Sequence, residues 1–405
     1  MTLTETLSNG LRVAVTTARS GVSYIGVLIN AGSRDDGADT PGLAHFVEHT
    51  IFKGTATKSS RTVSNRMESI GGELNAYTTK DETMIYTNAQ AGYAARALEL
   101  LSDLVMNASF PEHEIDLERN VIIEEILSYR DNPSESVFDE YEELMYEGSP
   151  VAHNILGTEE SVRRITREDA RRFIERNYTP DRMVLYIVDP GDPHKNLRLA
   201  EKYFGRIPAR ESALRRTAPT PRSTPFRRTI ELGNHQANTV AGAPTFGRND
   251  SRRFPFLLLN NYLGGPAMNS RLNIELREHR GLVYAVDSYS SMMSDCGCLA
   301  VYFGSDPDKV QKCLRIIRNE IGRLASSPIP ERTFSRIRDQ YCGQLLVASD
   351  NNENSAMAMA KSLMYFGEIH DSDHTARMVR QVSAEQVRQM AELIASAPFC
   401  SITLT

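Results

Sequence analysis

Apolar and polar positions change their period along the chain, and the changes mark out elements. In "LRVAVTT" (11–17) and "SYIGVLINAG" (23–32) the apolar residues alternate as they do on a half-buried strand. The stretch "GLAHFVEHTIFKGT" (42–55) switches to helical spacing, with Leu43, Phe46, Val47, Ile51 and Phe52 on a continuous stripe. A return to alternation on both sides of a polar turn makes "ELNAYTTKDETMIYTNA" (73–89) a hairpin. Helical spacing then predicts a long helix in "SFPEHEIDLERNVIIEEILSYRDNP" (109–133), ending at the Asp-Asn-Pro break.

The second half repeats this order. Strand-like "TIELGN" and "NTVAGAPT" precede an apolar helix, "PFLLLNNYLGG", and a hairpin, "VYAVDSYSSMMSDCGCLAVYFGS". The helix "SPIPERTFSRIRDQYCGQLLVASDN" then matches 109–133 at a constant offset that pairs Pro111 with Pro330 and Arg119 with Arg338. Such self-similarity indicates a duplicated domain. Between the copies, residues 206–228 carry four prolines and seven arginines with almost no apolar periodicity, the composition of a linker. We therefore expect domains at 1–207 and 229–405 joined by a linker at 208–228. Hairpins among helices, without strict β-α-β alternation, predict an α+β fold in which each domain is a mainly antiparallel sheet covered by helices.

Composition narrows the class without naming a chemistry. At 405 residues the chain exceeds a typical single core, and 40% hydrophobic with 24% charged residues suits a globular protein. A net charge of −6 argues against nucleic acid as the main partner. Neither a long apolar run nor a basic-then-apolar N-terminus is present, so we expect a cytoplasmic protein with no membrane span. The five cysteines are an odd count confined to the second half, which fits reduced thiols.

Charged residues interrupt the apolar helix at 42–55. His45 and His49 stand four apart and project from one face, with Glu48 beside them. Two imidazoles one turn apart can fill two vertices of a tetrahedral zinc shell, leaving a third ligand to come from elsewhere. The helix at 109–133 offers one: Glu118 and Glu125 lie seven apart on a stripe with Val121, Ile122 and Ile126. Carboxylates on such a stripe are costly unless paired or bound to a cation. Glu124 is a rival but lies about 120 degrees around the helix from Glu118. The second copy is an internal control. Ile337 faces Glu118, Gln344 faces Glu125, and its apolar helix has no histidine. Charges that served only the fold would be needed in both copies.

With these residues in place, the chain resembles the inverzincin metallopeptidases, the family of pitrilysin, insulysin and the mitochondrial processing peptidase. The segments "HFVEH", "GGELNAYTTKDETMIY", "ERNVIIEEI" and "LGGPAMNSRLNIELREHRGLVYAV" follow the family's order and spacing, and the short bacterial two-domain members are the most similar. The resemblance implies that His45, His49 and Glu125 bind Zn2+, that Glu48 is the general base, and that Glu118 steadies the site from behind. It further implies that Arg277 and Tyr284 reach substrate carbonyls, and that Asn75 and Ala76 bind an extended peptide through their backbone. A two-domain chain would form half of a clamshell. The expectation is then a zinc endopeptidase acting on peptides or unfolded segments inside a homodimeric chamber, each subunit supplying Arg277 and Tyr284 to its partner's zinc site. The family also contains non-catalytic subunits, which usually lack part of the zinc motif, whereas this chain carries all of it.

Overall fold

In the computed structural model, which describes residues 2–212 and 215–405, the chain forms two compact units. Met1 and residues 213 and 214 of the expected linker lie outside the described residues.

The first unit is built on β1 (Thr2–Thr6), β2 (Arg12–Thr17), β3 (Val22–Ile29), β4 (Glu73–Thr78), β5 (Thr83–Gln90) and β6 (Met183–Asp189). These hydrogen-bond in the order β1-β2-β6-β3-β5-β4. Only β2 and β6 run parallel. The second unit is built on β7 (Arg227–Ile230), β8 (Ala237–Thr245), β9 (Val283–Met292), β10 (Gly297–Ser305) and β11 (Cys400–Leu404), in the order β7-β11-β8-β10-β9. Here too a single pair, β7 with β11, is parallel. Apart from β1 the two sheets have the same plan. In each, the last strand of the unit inserts between the first two and the hairpin ends on an edge strand, β4 or β9. The α+β architecture of two related domains is thus what the chain forms.

Strand β6 shows why both faces of a sheet must be covered. Met183, Leu185 and Ile187 enter a core with Phe46, Leu98 and Leu101, while Val184 and Tyr186 enter a second core on the other face. A strand buried on both sides reads as a continuous apolar run, and "MVLYIVD" does. Gly26 of β3 makes room there, since a Cβ at that position would come within 2.6 Å of the Tyr186 ring.

The helices that close these second faces are exchanged between the halves. Asn352–Phe366, from the C-terminal half, belongs to the first unit and packs Met359, Ala360 and Leu363 against Leu28, Val184 and Tyr186. Pro133–Met145, from the N-terminal half, belongs to the second unit, where Val137, Tyr141 and Met145 pack with Val240, Ala300 and Ile402. Burying one side chain of the size of Leu363 stabilises by about 1.5–3 kcal/mol, so each unit is completed by residues distant in sequence. The five cysteines are buried free thiols.

Candidate metal centre

The helix Leu43–Ile51 carries both histidines of the motif, and its N-terminus is fixed by a residue outside it. One carboxylate oxygen of Asp36 accepts hydrogen bonds from the backbone N–H groups of Gly42 and Leu43 at 2.8 and 3.1 Å, and the other accepts from Ala44 at 2.9 Å. A carboxylate there satisfies orphan donors and complements the positive end of the helix dipole. Gly42 has φ +90°, and a Cβ on it would lie 2.6 Å from the Leu156 carbonyl oxygen. Glycine is required on both counts. On the inner side Phe46, Val47 and Ile51 are fully buried, anchoring the helix in the core.

The long helix Glu112–Arg130 brings two carboxylates to the histidines. Nε2 of His49 lies 3.3 Å from Oε2 of Glu125, and Nε2 of His45 lies 3.8 Å from the same oxygen. The two imidazole centroids are 4.6 Å apart. Ligand atoms of His45, His49 and Glu125 all fall within 4.8 Å of one another. Ligands about 2 Å from a tetrahedral zinc sit roughly 3.3 Å apart, so this donor set fits the ion with little movement. The remaining nitrogen of His49, Nδ1, meets Oε2 of Glu118 at 3.2 Å, an orientation that leaves Nε2 directed at Glu125. Lys53 closes the row at 2.5 Å from Oε1 of Glu118.

His45 and Glu125 are held in the states a metal binds, whereas His49 is biased towards the protonated form that an ion must displace. Burial, reinforced by the neighbouring His49, brings the His45 imidazole down to about 4, so it is neutral and has a free lone pair at neutral pH. His49 is held above its ordinary value, because the Glu125 and Glu118 carboxylates outweigh its burial. Glu125 is held below its ordinary value, chiefly by the hydrogen bond from His49. Glu48 moves the other way. Burial raises its carboxyl, with Thr78 and His49 acting against that rise and Glu125 adding to it. A carboxylate with a raised pKa beside a metal ligand set is poised to take up a proton. Nδ1 of His45 is buried without a hydrogen-bond partner among the described residues, a polar atom that the fold alone leaves unsatisfied.

The structure therefore assembles His45, Glu48, His49, Glu118 and Glu125 in the first unit. Asn75 and Ala76 lie on β4, an edge strand that pairs with β5 and packs against the histidine helix. Arg277 and Tyr284 belong to the second unit. Arg277 lies in a π-helical turn, Asn273–Glu278, and Tyr284 lies on edge strand β9 with its hydroxyl donating to Asp306 at 2.5 Å. Two contributors escaped the sequence reading. Lys53 lies four residues after His49 and so prolongs the stripe of the motif. Asp36 gave no local signal, because it caps the helix from across a loop.

Comparison with known proteins finds relatives along nearly the whole chain. The family model described as "Insulinase (Peptidase family M16)" matches residues 12–159, and that described as "Peptidase M16 inactive domain" matches residues 164–341. A relative in Mycobacterium leprae named an uncharacterized zinc protease is 31% identical over 395 residues, covering 95% of this chain and 87% of its own length. The chain belongs to peptidase family M16. Another relative, the uncharacterized zinc protease YmxG of Bacillus subtilis, is also 31% identical, covering 95% of this chain and 94% of its own length. Two solved structures share the fold with a TM-score of 0.92. One, from Pseudomonas fluorescens and titled as a peptidase M16 inactive domain, is 18% identical, covering 100% of this chain and 97% of the other. The second, a protease from Helicobacter pylori, is 20% identical, with coverages of 100% and 99%. No helix among the described residues is long and apolar enough to cross a membrane.

Proposed function

We propose that this M16 chain is a zinc-dependent endopeptidase that cleaves peptides or unfolded protein segments. The observation that carries the reading is the convergence of His45, His49 and Glu125, with ligand atoms within 4.8 Å of one another. The zinc protease names of the relatives support it. Bound by these three side chains, zinc supplies the Lewis acid that makes water a competent nucleophile near neutral pH.

The protein's own residues divide the remaining work. Glu48 takes a proton from the attacking water onto its carboxylate and delivers it to the leaving amine, and its raised pKa brings it nearer the working pH. Glu118 holds Nδ1 of His49 and so fixes the ring. An extended substrate adds to β4 beside Asn75 and Ala76, which reads backbone more than side chain. In the proposed active form, a homodimer, Arg277 and Tyr284 of each subunit donate to the developing oxyanion in the partner's site.

Zinc analysis of the purified protein, combined with chelator-sensitive cleavage of an unstructured peptide, tests the chemistry. A folded, metal-free protein that cleaves nothing would overturn it. The trans arrangement has its own test. Inactive Arg277→Ala and Glu48→Gln chains mixed in equal amounts should regain activity from about a quarter of their sites, because only mixed dimers contain one complete set. No recovery from mixed dimers would refute the exchange.

A further inference from the structure

A cavity of about 530 Å³ opens in the second unit between the helix Val310–Ser326, the end of the helix Ala384–Ser396 and strand β7. It lies at the β7 edge of the sheet, the edge opposite β9 and Tyr284. Its lining combines the apolar Leu314, Ile394 and Phe399 with the polar Gln311 and Asn319. The exposed Arg227, Arg315 and Arg318 also line it. Arg315 and Arg318 stand three apart on an exposed helical face, and Arg318 lies over the Phe399 ring at 5.6 Å. Two neighbouring arginines are neutralised: Arg388 pairs with Glu385 and Glu392, and Arg323 with Glu320. None of Arg227, Arg315 and Arg318 has a carboxylate at ion-pair distance among the described residues.

Three uncompensated guanidinium groups around one cavity, on a chain of net charge −6, form a local field that selects anions. Each guanidinium presents a planar fork that suits two oxygens of a carboxylate or phosphate. A single carboxylate has two oxygens and one charge, which leaves one fork without a full partner. A phosphate monoester has three terminal oxygens and close to two charges at neutral pH, and its organic group can lie against Phe399 and Ile394. We propose that this cavity is a binding site for a small organic phosphate monoester carrying an aromatic or acyl group. The site is independent of the zinc reading, since none of its residues belongs to the metal centre.

Titration calorimetry with 1-naphthyl phosphate and with inorganic phosphate as probes tests both halves of the proposal. The wild type should bind the ester at least ~10-fold more tightly than the inorganic ion, a difference of about 1.4 kcal/mol. The Arg315→Gln, Arg318→Gln double variant should weaken both probes by ~10-fold or more, because charge-assisted bonds are lost. Phe399→Leu should remove the preference for the ester while keeping affinity for inorganic phosphate. Circular dichroism establishes that each variant is folded, and the arginines, being exposed and outside any ion pair among the described residues, tolerate replacement. Equal binding of the ester by the wild type and the double variant, or no binding at millimolar concentration, would overturn the site. Equal affinities of the wild type for the two probes would overturn the apolar half of the assignment.

Discussion

The same pair of helices occurs in both units, and only the first unit's pair carries two histidines opposite two glutamates, His45 and His49 with Glu118 and Glu125. In the first unit Glu118 sits at a position that is 9% exposed; at the matching position of the second unit Ile337 is 6% exposed and joins the apolar core. The fold thus accepts an ordinary aliphatic residue there. A carboxylate in such a place loses hydration and needs partners to recover it. Glu118 has two, His49 at 3.2 Å and Lys53 at 2.5 Å. The second unit has no histidine on its helix Arg253–Gly264 and keeps Leu258 and Leu259 there, both buried. What separates the copies is therefore a polar network that stability does not call for, and that is the mark of a site.

The largest expected effect breaks the comparison at its centre. His49→Ala should reduce zinc from about one ion per chain to background, with peptide cleavage falling to background as well, because a structural or catalytic zinc needs at least three protein ligands. Elemental analysis alongside a peptide assay reads both. Retention of zinc by that variant would place the ion elsewhere. Next in size, Glu48→Gln should keep the metal and lower kcat by about 10²–10⁴-fold, the usual share of a positioned proton carrier. A kcat within a few-fold of wild type would remove Glu48 from the role of base.

The candidate metal ligands were legible because chemistry imposes spacing. His45 and His49 are one turn apart in any helix, and Glu118 with Glu125 share a stripe whatever the tertiary structure. Their convergence required only that the fold turn these two faces towards each other. Other features depend on contacts between distant segments and leave no period. The exchange of Pro133–Met145 and Asn352–Phe366 is one: nothing in either segment's sequence reveals which sheet it covers. Arg216 is another. Within a stretch that reads as a solvated spacer, its guanidinium contacts both Asp35 oxygens, at 3.0 and 2.6 Å, and the Asn30 side chain at 2.8 Å. Partners 181 and 186 residues away cannot be inferred from a run of arginines and prolines. The duplication itself was visible, since Pro111 and Arg119 recur at the offset of Pro330 and Arg338.

Smaller substitutions sharpen the distinction between site and scaffold. Glu118→Gln preserves volume but weakens the hold on His49, and should reduce zinc affinity by about 10–100-fold, as the loss of an outer partner typically does. Competition with a chromophoric chelator measures it, and unchanged affinity would reduce Glu118 to a surface ion pair. Asp36→Ala removes the acceptor for three backbone N–H groups at the head of the histidine helix. The expected cost is about 1–2 kcal/mol of stability, that of a lost helix cap, measured by denaturant unfolding of the metal-free protein. A change below the error of that measurement would show that water replaces the carboxylate at no cost.

The smallest effect comes from restoring a charge to the copy that lacks it. Gln344 occupies the place that Glu125 holds in the first unit, and it is partly exposed. Gln344→Glu adds a carboxylate, but no imidazole pair stands opposite on the helix Arg253–Gly264, where the sequence reads apolar residues and asparagines. One oxygen ligand without nitrogen partners does not hold zinc against water. The variant should bind about one zinc per chain as before and change stability by no more than about 0.5 kcal/mol, as a surface substitution does. A second equivalent of zinc in the variant would mean that the second unit retains a partial ligand set. The two copies would then differ by a single residue, and the polar network of the first unit would no longer be what distinguishes them.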